Sequence, residues 1–285
     1  MSPVALALLL AAAVLHTGWN LLVKRARQRL VFAWWSLAVG AIAFLPILLA
    51  GVPIPARIWP YAMASALLEG LYFGSLAAAY GAGDFSVIYP IARGAAPAFL
   101  AVWSVVFLGQ RLQPAGIAGL AVIVAGLLVI AGAGNRGGGA ARVSRAGIGL
   151  ALLTALAISG YSAIDAAAIR ILRPAPYTAL VFALSTLVAA PLVVQRYGWT
   201  AVADEWVASW PRIAAVGFLS GVAYAMVLAA YSIAPVAYAG AVREVSVVLA
   251  ALAGWLFLKE GFGLRRTAGA VLVFAGIAGL AALGR

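Results

Sequence analysis

The sequence predicts an all-α membrane protein of ten transmembrane helices arranged as two inverted five-helix repeats. Three observations carry that expectation. Apolar runs of spanning length succeed one another along the chain, only 9% of its 285 residues are charged, and the second half echoes the first. Soluble domains carry roughly 25% charged residues, so this chain cannot cover a water-facing surface. A β-barrel would alternate polar and apolar residues and would not give runs of about 20 apolar positions.

The runs fall at about 4–23, 31–50, 59–81, 86–108, 115–133, 147–170, 177–194, 211–231, 236–258 and 265–283. The first has no cation before it, whereas Lys24, Arg25, Arg27 and Arg29 follow it. A secretory leader places its charges in front, so the run reads as a retained helix. Most connections are short, such as Gly81-Ala82-Gly83-Asp84 and Ala234-Pro235, which makes successive helices antiparallel neighbours. Asp84 suits an N-cap or first-turn anion for the fourth helix. The stretch from Gly132 to Gly147 is glycine-rich and basic and reads as a flexible linker. It divides the chain into a first repeat at 1–133, a linker at 134–146 and a second repeat at 147–285.

The echo has a nearly constant offset. Ala78-Ala79-Tyr80 recurs as Ala229-Ala230-Tyr231, Leu68-Glu69-Gly70 as Leu219-Ser220-Gly221, and Arg93 as Arg243. Phe107-Leu108-Gly109-Gln110 recurs as Phe257-Leu258-Lys259-Glu260, and Gly119 and Gly126 as Gly269 and Gly276. Thr17-Gly18-Trp19-Asn20 resembles Ser159-Gly160-Tyr161-Ser162. Five helices per unit reverse the side of entry, so the second unit sits upside down. Such repeats place a solute site at their interface near the midplane and let the halves rock.

The net charge of +12 does not point to nucleic acid, because the cations cluster between apolar runs, where the positive-inside rule expects them. The absence of cysteine and a single histidine, His16, exclude disulfides, thiolate chemistry and multi-histidine metal centres. No cofactor is expected, and no motif of an intramembrane enzyme is present.

Only Arg93 and Arg243 lie deep in an apolar run. An arginine at the bilayer centre costs about 3 kcal/mol on insertion scales, so two at matching places imply use. Each sits about seven residues into its helix, roughly 10 Å deep. Helices running in opposite directions then put them on either side of the midplane. A guanidinium fork recognises a carboxylate or phosphate; the competing reading is a structural ion pair with Glu69, Asp165 or Glu244. Glu69, at mid-run in the third helix, suits proton coupling or an amine, or else serves as counter-ion to an arginine. Glu244 and Asp165 carry the same two readings, and Asp165 lies close enough to its helix end to meet water.

His16, Trp19 and Asn20 share a face of the first helix, and Tyr161 is the repeat partner of Trp19. With Tyr72, Tyr89 and Tyr224 they form a candidate aromatic and polar cavity wall; the alternative for Trp19 is an interface belt beside the Lys24–Arg29 cluster. His16 reads as a proton carrier or a hydrogen-bonded packing residue. Pro90 and Pro97 interrupt the fourth helix near Arg93, as in broken-helix sites. The glycine faces at 119, 126, 269 and 276 suit either an internal seam or a homodimer contact.

Ten helices in two halves, with Phe107-Leu108-Gly109-Gln110-Arg111-Leu112 before Gly116, Gly119 and Gly126 and with Phe257-Leu258-Lys259-Glu260 opposite, resemble the drug/metabolite transporter superfamily, specifically its EamA-type carriers. The likeness spans essentially the whole chain. The family's glutamate after the fourth helix is kept by Glu260 but replaced by Gln110 in the first half. The resemblance implies a multi-pass carrier of the plasma (inner) membrane exporting amino acids and related metabolites. Together with the arginines it gives the expected function: secondary-active export of a small anionic or zwitterionic amino-acid-like solute, with proton coupling through Glu69. A lipid-linked or amphipathic drug substrate, and a non-transporting membrane subunit, are the alternatives. Loop cations number about twelve on one side and five on the other, which places both termini outside by the positive-inside rule, whereas the resemblance implies cytoplasmic termini.

Overall fold

The computed structural model describes residues 1–23, 26–82, 85–132, 144–249 and 264–283. Within them the side chains at 20–21, 77, 80–81, 85–87, 89–90, 130–132, 266, 281 and 283 are not described. Asn20, Tyr80, Tyr89 and Pro90 are therefore outside the described side chains. Asp84, the linker at 134–143, and Lys259 and Glu260 lie outside the described residues altogether.

Among the described residues the protein is helical with no strand. The elements are α1 (Pro3–Val23), α2 (Arg29–Leu49), a 3-10 turn at Ala56–Ile58, α3 (Trp59–Ala82), α4 (Phe85–Val106) and α5 (Pro114–Gly132). Then follow α6 (Arg145–Ala168), α7 (Pro174–Ile233), α8 (Val236–Arg243), a further helical stretch at 245–249 and α9 (Leu264–Leu283). Three of these, α2, α6 and α7, are long and apolar enough to cross a bilayer, and α1, α4, α5 and α9 each hold a shorter apolar stretch. Together they make a multi-pass membrane protein.

Residues 195–210 were expected as a connection between two spans, yet they are helical and join both into the 60-residue α7. A straight helix of that length would run about 90 Å, three times the hydrocarbon thickness. Gly198 resolves the contradiction. Its φ of 75° and ψ of 160° leave the helical region, a conformation that glycine reaches without steric cost. The chain turns there into a second limb, 199–233.

Polar contacts fix this corner. The buried Glu205 carboxylate accepts from the Gln28 backbone N–H at 2.9 Å and from Ser209 at 3.0 Å, tying α7 to the start of α2. The indoles of Trp34 and Trp35 donate to the carbonyls of Thr186 and Val202, both at 2.9 Å. At the start of α6, Ser144 Oγ accepts from the Gly147 N–H and donates to Ala82 O, an N-cap that also docks on the end of α3.

Most packing joins early helices to late ones: α2 and α1 against α7, α3 and α4 against α6, and α5 against α9. The glycine faces at 119, 126, 269 and 276 form an internal seam. A Cβ on Gly126 would come within 2.7 Å of Gly269 O, and one on Gly276 within 2.7 Å of Gly119 O. Backbones approach this closely only where no side chain intervenes. Gly40 and Gly217 make a second close approach, between α2 and α7.

Candidate functional site

The charged centre forms where α4 meets the end of α8. Arg93 points from α4 to Glu244, its Nη2 lying 3.0 Å from Oε2. Arg243, the last residue of α8, lies 3.6 Å from the other oxygen of the same carboxylate. Of the three acids the sequence offered as ion-pair partners, Glu244 takes both arginines, and its shorter contact is not with its neighbour but with Arg93, 151 positions away. Glu244 is fully buried, whereas the arginine side chains keep 13% and 18% of their surface exposed. Neither Glu244 oxygen accepts a well-aligned hydrogen bond among the described residues, so its contacts with the two arginines are ion pairs. Among the described residues, two guanidiniums thus share one carboxylate. Arg243 fills its remaining valences with two neutral hydroxyls at long range, Ser162 at 3.3 Å and Tyr231 at 3.4 Å.

The other two membrane carboxylates take no cation among the described residues. Asp165 on α6, 1% exposed, does not meet water. It accepts three hydroxyl donors, Ser65 at 2.6 Å, Tyr177 at 2.8 Å and Tyr224 at 2.5 Å, joining α3, both limbs of α7 and its own helix. Glu69 on α3, also buried, accepts Ser185 of α7 at 2.5 Å. Hydroxyls thus satisfy these acids where the sequence reading offered arginine as partner.

Aromatic residues flank the centre. Tyr72 and Tyr161 meet edge-on at 6.5 Å and pack beside Ala96, one turn beyond Arg93 on α4. Tyr224, besides holding Asp165, lies 5.4 Å from the Phe182 ring. His16 and Trp19 stack edge-on at 4.6 Å on α1. Trp19 then packs among Phe32, Ile213 and Val216, near the α1–α2 corner, with its indole N–H buried and unpartnered among the described residues. The Thr17 hydroxyl reaches Ser246 O at 3.3 Å, bringing that face of α1 against the segment after Arg243.

Sequence reasoning missed Ser65, Ser162, Ser185, Tyr177 and Tyr231. It also set Gln110 aside as a departure from a pattern. Gln110 Oε1 accepts the Val236 N–H at 2.9 Å, capping α8 from the α4–α5 connection.

This arrangement invites comparison with known proteins. The profile of the EamA-like transporter family matches the chain twice, over residues 3–132 and 145–282. The chain belongs to the EamA-like transporter family. The profile thus meets the chain in two successive segments, and the EamA-like unit occurs twice. A crystal structure of a protein 21% identical in sequence superposes on this EamA-like chain with a TM-score of 0.79, over 98% of this chain and 99% of the other. That likeness speaks for the fold. No curated protein matches the sequence.

Proposed function

We propose that this EamA-like membrane transporter is a secondary-active exporter of the plasma membrane. It moves a small anionic or zwitterionic, amino-acid-like solute by alternating access between two inverted five-helix repeats. The observation that carries this is the cluster Arg93–Glu244–Arg243, in which two guanidiniums share one buried carboxylate at 3.0 and 3.6 Å. A guanidinium is costly in an apolar surround, and an arriving carboxylate offers the pair a second acceptor. The long contacts of Arg243 to Ser162 and Tyr231 are cheap to exchange for a bidentate solute carboxylate. Tyr72 and Tyr161 cover the solute, and Glu69, outside the arginine cluster, carries the coupling proton.

The test is uptake of labelled solutes by purified protein in liposomes. Arg93→Ala abolishes transport while the protein remains monodisperse, because Glu244 keeps Arg243 as its partner. A variant that inserts and folds yet transports as the parent does would overturn the reading; one that aggregates assigns Arg93 to a structural ion pair.

A second reading has one observation in its favour. An apolar groove of about 180 Å³ lies between α2, α3 and α7, lined by Leu30, Trp34, Leu67, Leu71, Phe73 and Leu192. Leu67, Leu71 and Leu192 are exposed, so the groove opens sideways, as an amphipathic or lipid-linked substrate would require. Competition by amphipathic rather than amino-acid-like solutes in the same liposomes distinguishes the two.

A further inference from the structure

Away from the central cluster, the three connections 107–113, 169–173 and 234–235 meet around a second cavity, of about 580 Å³. Its wall includes Gln110, Arg111, Arg170, Tyr231, Ser232 and Pro235. That volume lies within the range of small-molecule sites. Arg111 and Arg170, both exposed, are its cations, and among the described residues no acidic side chain lines it. The described lining of the cavity therefore carries charge of one sign. Its inner wall reaches the centre through one group: the Tyr231 hydroxyl accepts from Arg243 Nη1 at 3.4 Å, while Tyr231 itself lines the cavity.

We propose that this cavity is an antechamber that binds the carboxylate or phosphate group of an anionic solute between Arg111 and Arg170 before it passes Tyr231 to Arg243. Guanidinium forks suit that group geometrically, and a cleft lined by one sign of charge raises the local concentration of the opposite ion. The inference deepens the anionic-solute reading and rests on it. Gln110 has a part as well: by capping α8 it holds the wall that carries Pro235 against the connection that carries Arg111.

The chain contains no cysteine, so a single introduced thiol reports the local potential. Ser232→Cys, at an exposed position in the cavity wall, is prepared in full-length protein in neutral-lipid nanodiscs. It is reacted with an anionic sulfonate-bearing and a cationic trimethylammonium-bearing methanethiosulfonate, with rates normalised to a free thiol. The anionic reagent is expected to react roughly tenfold faster than the cationic one. That preference disappears at high salt and in the Arg111→Gln/Arg170→Gln background. Millimolar inorganic phosphate slows labelling of Ser232→Cys and leaves labelling in the double-glutamine background unchanged. Ile233→Cys in the same wall provides a second reporter should the first variant fold poorly. Equal rates for the two reagents, a preference that survives the double substitution, a thiol that neither reagent reaches, or no effect of phosphate would each overturn the antechamber. The labelling requires no transport, so its failure is distinct from a failure of the Arg93→Ala experiment.

Discussion

Glu244 is bound to its surroundings differently from the two arginines beside it, and the difference is measurable. It is wholly buried and serves both cations, at 3.0 and 3.6 Å. Removing its charge strands two guanidiniums against each other, whereas removing Arg93 leaves a one-to-one pair. Breaking a buried ion pair by deleting one partner costs about 3–5 kcal/mol. Glu244→Gln is therefore expected to lose stability on that scale, and Arg93→Gln much less. Thermal unfolding of the two variants in detergent gives the order; an equal loss, or a larger one for Arg93→Gln, contradicts it. At this scale the sequence was informative about charge and silent about hydroxyls. Arg93, Arg243 and Glu244 stand out because ionised groups are costly in an apolar run. Ser65, Ser185, Tyr177 and Tyr231 do not, since serine and tyrosine are ordinary in membrane helices and only the folded chain aims them at Asp165, Glu69 and Arg243.

Among the elements, the α5–α9 pair is built on backbone contact, and its tolerance to substitution varies from one glycine to the next. A Cβ on Gly276 would lie 2.7 Å from the Gly119 carbonyl oxygen and 2.6 Å from Ile123. A backbone oxygen cannot rotate away, so Gly276→Val must part the helices. Overpacking of this kind costs roughly 1–3 kcal/mol. Gly149, on the open side of α6, meets nothing within 4 Å, and Gly149→Ala is expected to be neutral or stabilising by up to about 1 kcal/mol. Parallel melting curves of the two variants check the contrast. The constant spacing of Gly119, Gly126, Gly269 and Gly276 made this seam readable in advance. The helical 195–210 segment was not, because Arg196, Asp204 and Glu205 gave it the composition of a connection. Glu205 is polar yet buried, having exchanged water for the Gln28 N–H and Ser209, a partnership with no trace in local sequence.

For the whole molecule, the proposed coupling makes a directional prediction. Glu69 accepts a hydroxyl hydrogen bond from Ser185 at 2.5 Å, and among the described residues it pairs with no cation. On the proposed reading, a proton on Glu69 would exchange without dismantling the arginine cluster. In liposomes, solute efflux is expected to speed up when a proton gradient runs the opposite way. Glu69→Gln should keep binding solute but lose that acceleration; an unchanged response to the gradient rules out Glu69 as the coupling group. The two-part plan of the chain was legible because the halves share motifs at one offset, and the family profile meets both. How the halves interlock was not legible, since apolar faces rich in alanine and leucine do not name their partners.

The second half begins its α8 on a bond to the first. Gln110 receives the Val236 amide, and the Tyr238 hydroxyl receives the Gln113 amide at 3.0 Å, so two moorings hang this short helix from the α4–α5 corner. Beyond them, among the described helices, α8 leans more on α1, α4 and α5 than on α6 and α7. By sequence α8 belongs to the late segment, yet it is packed chiefly on the early one, so Arg243 stands on scaffolding from the opposite half.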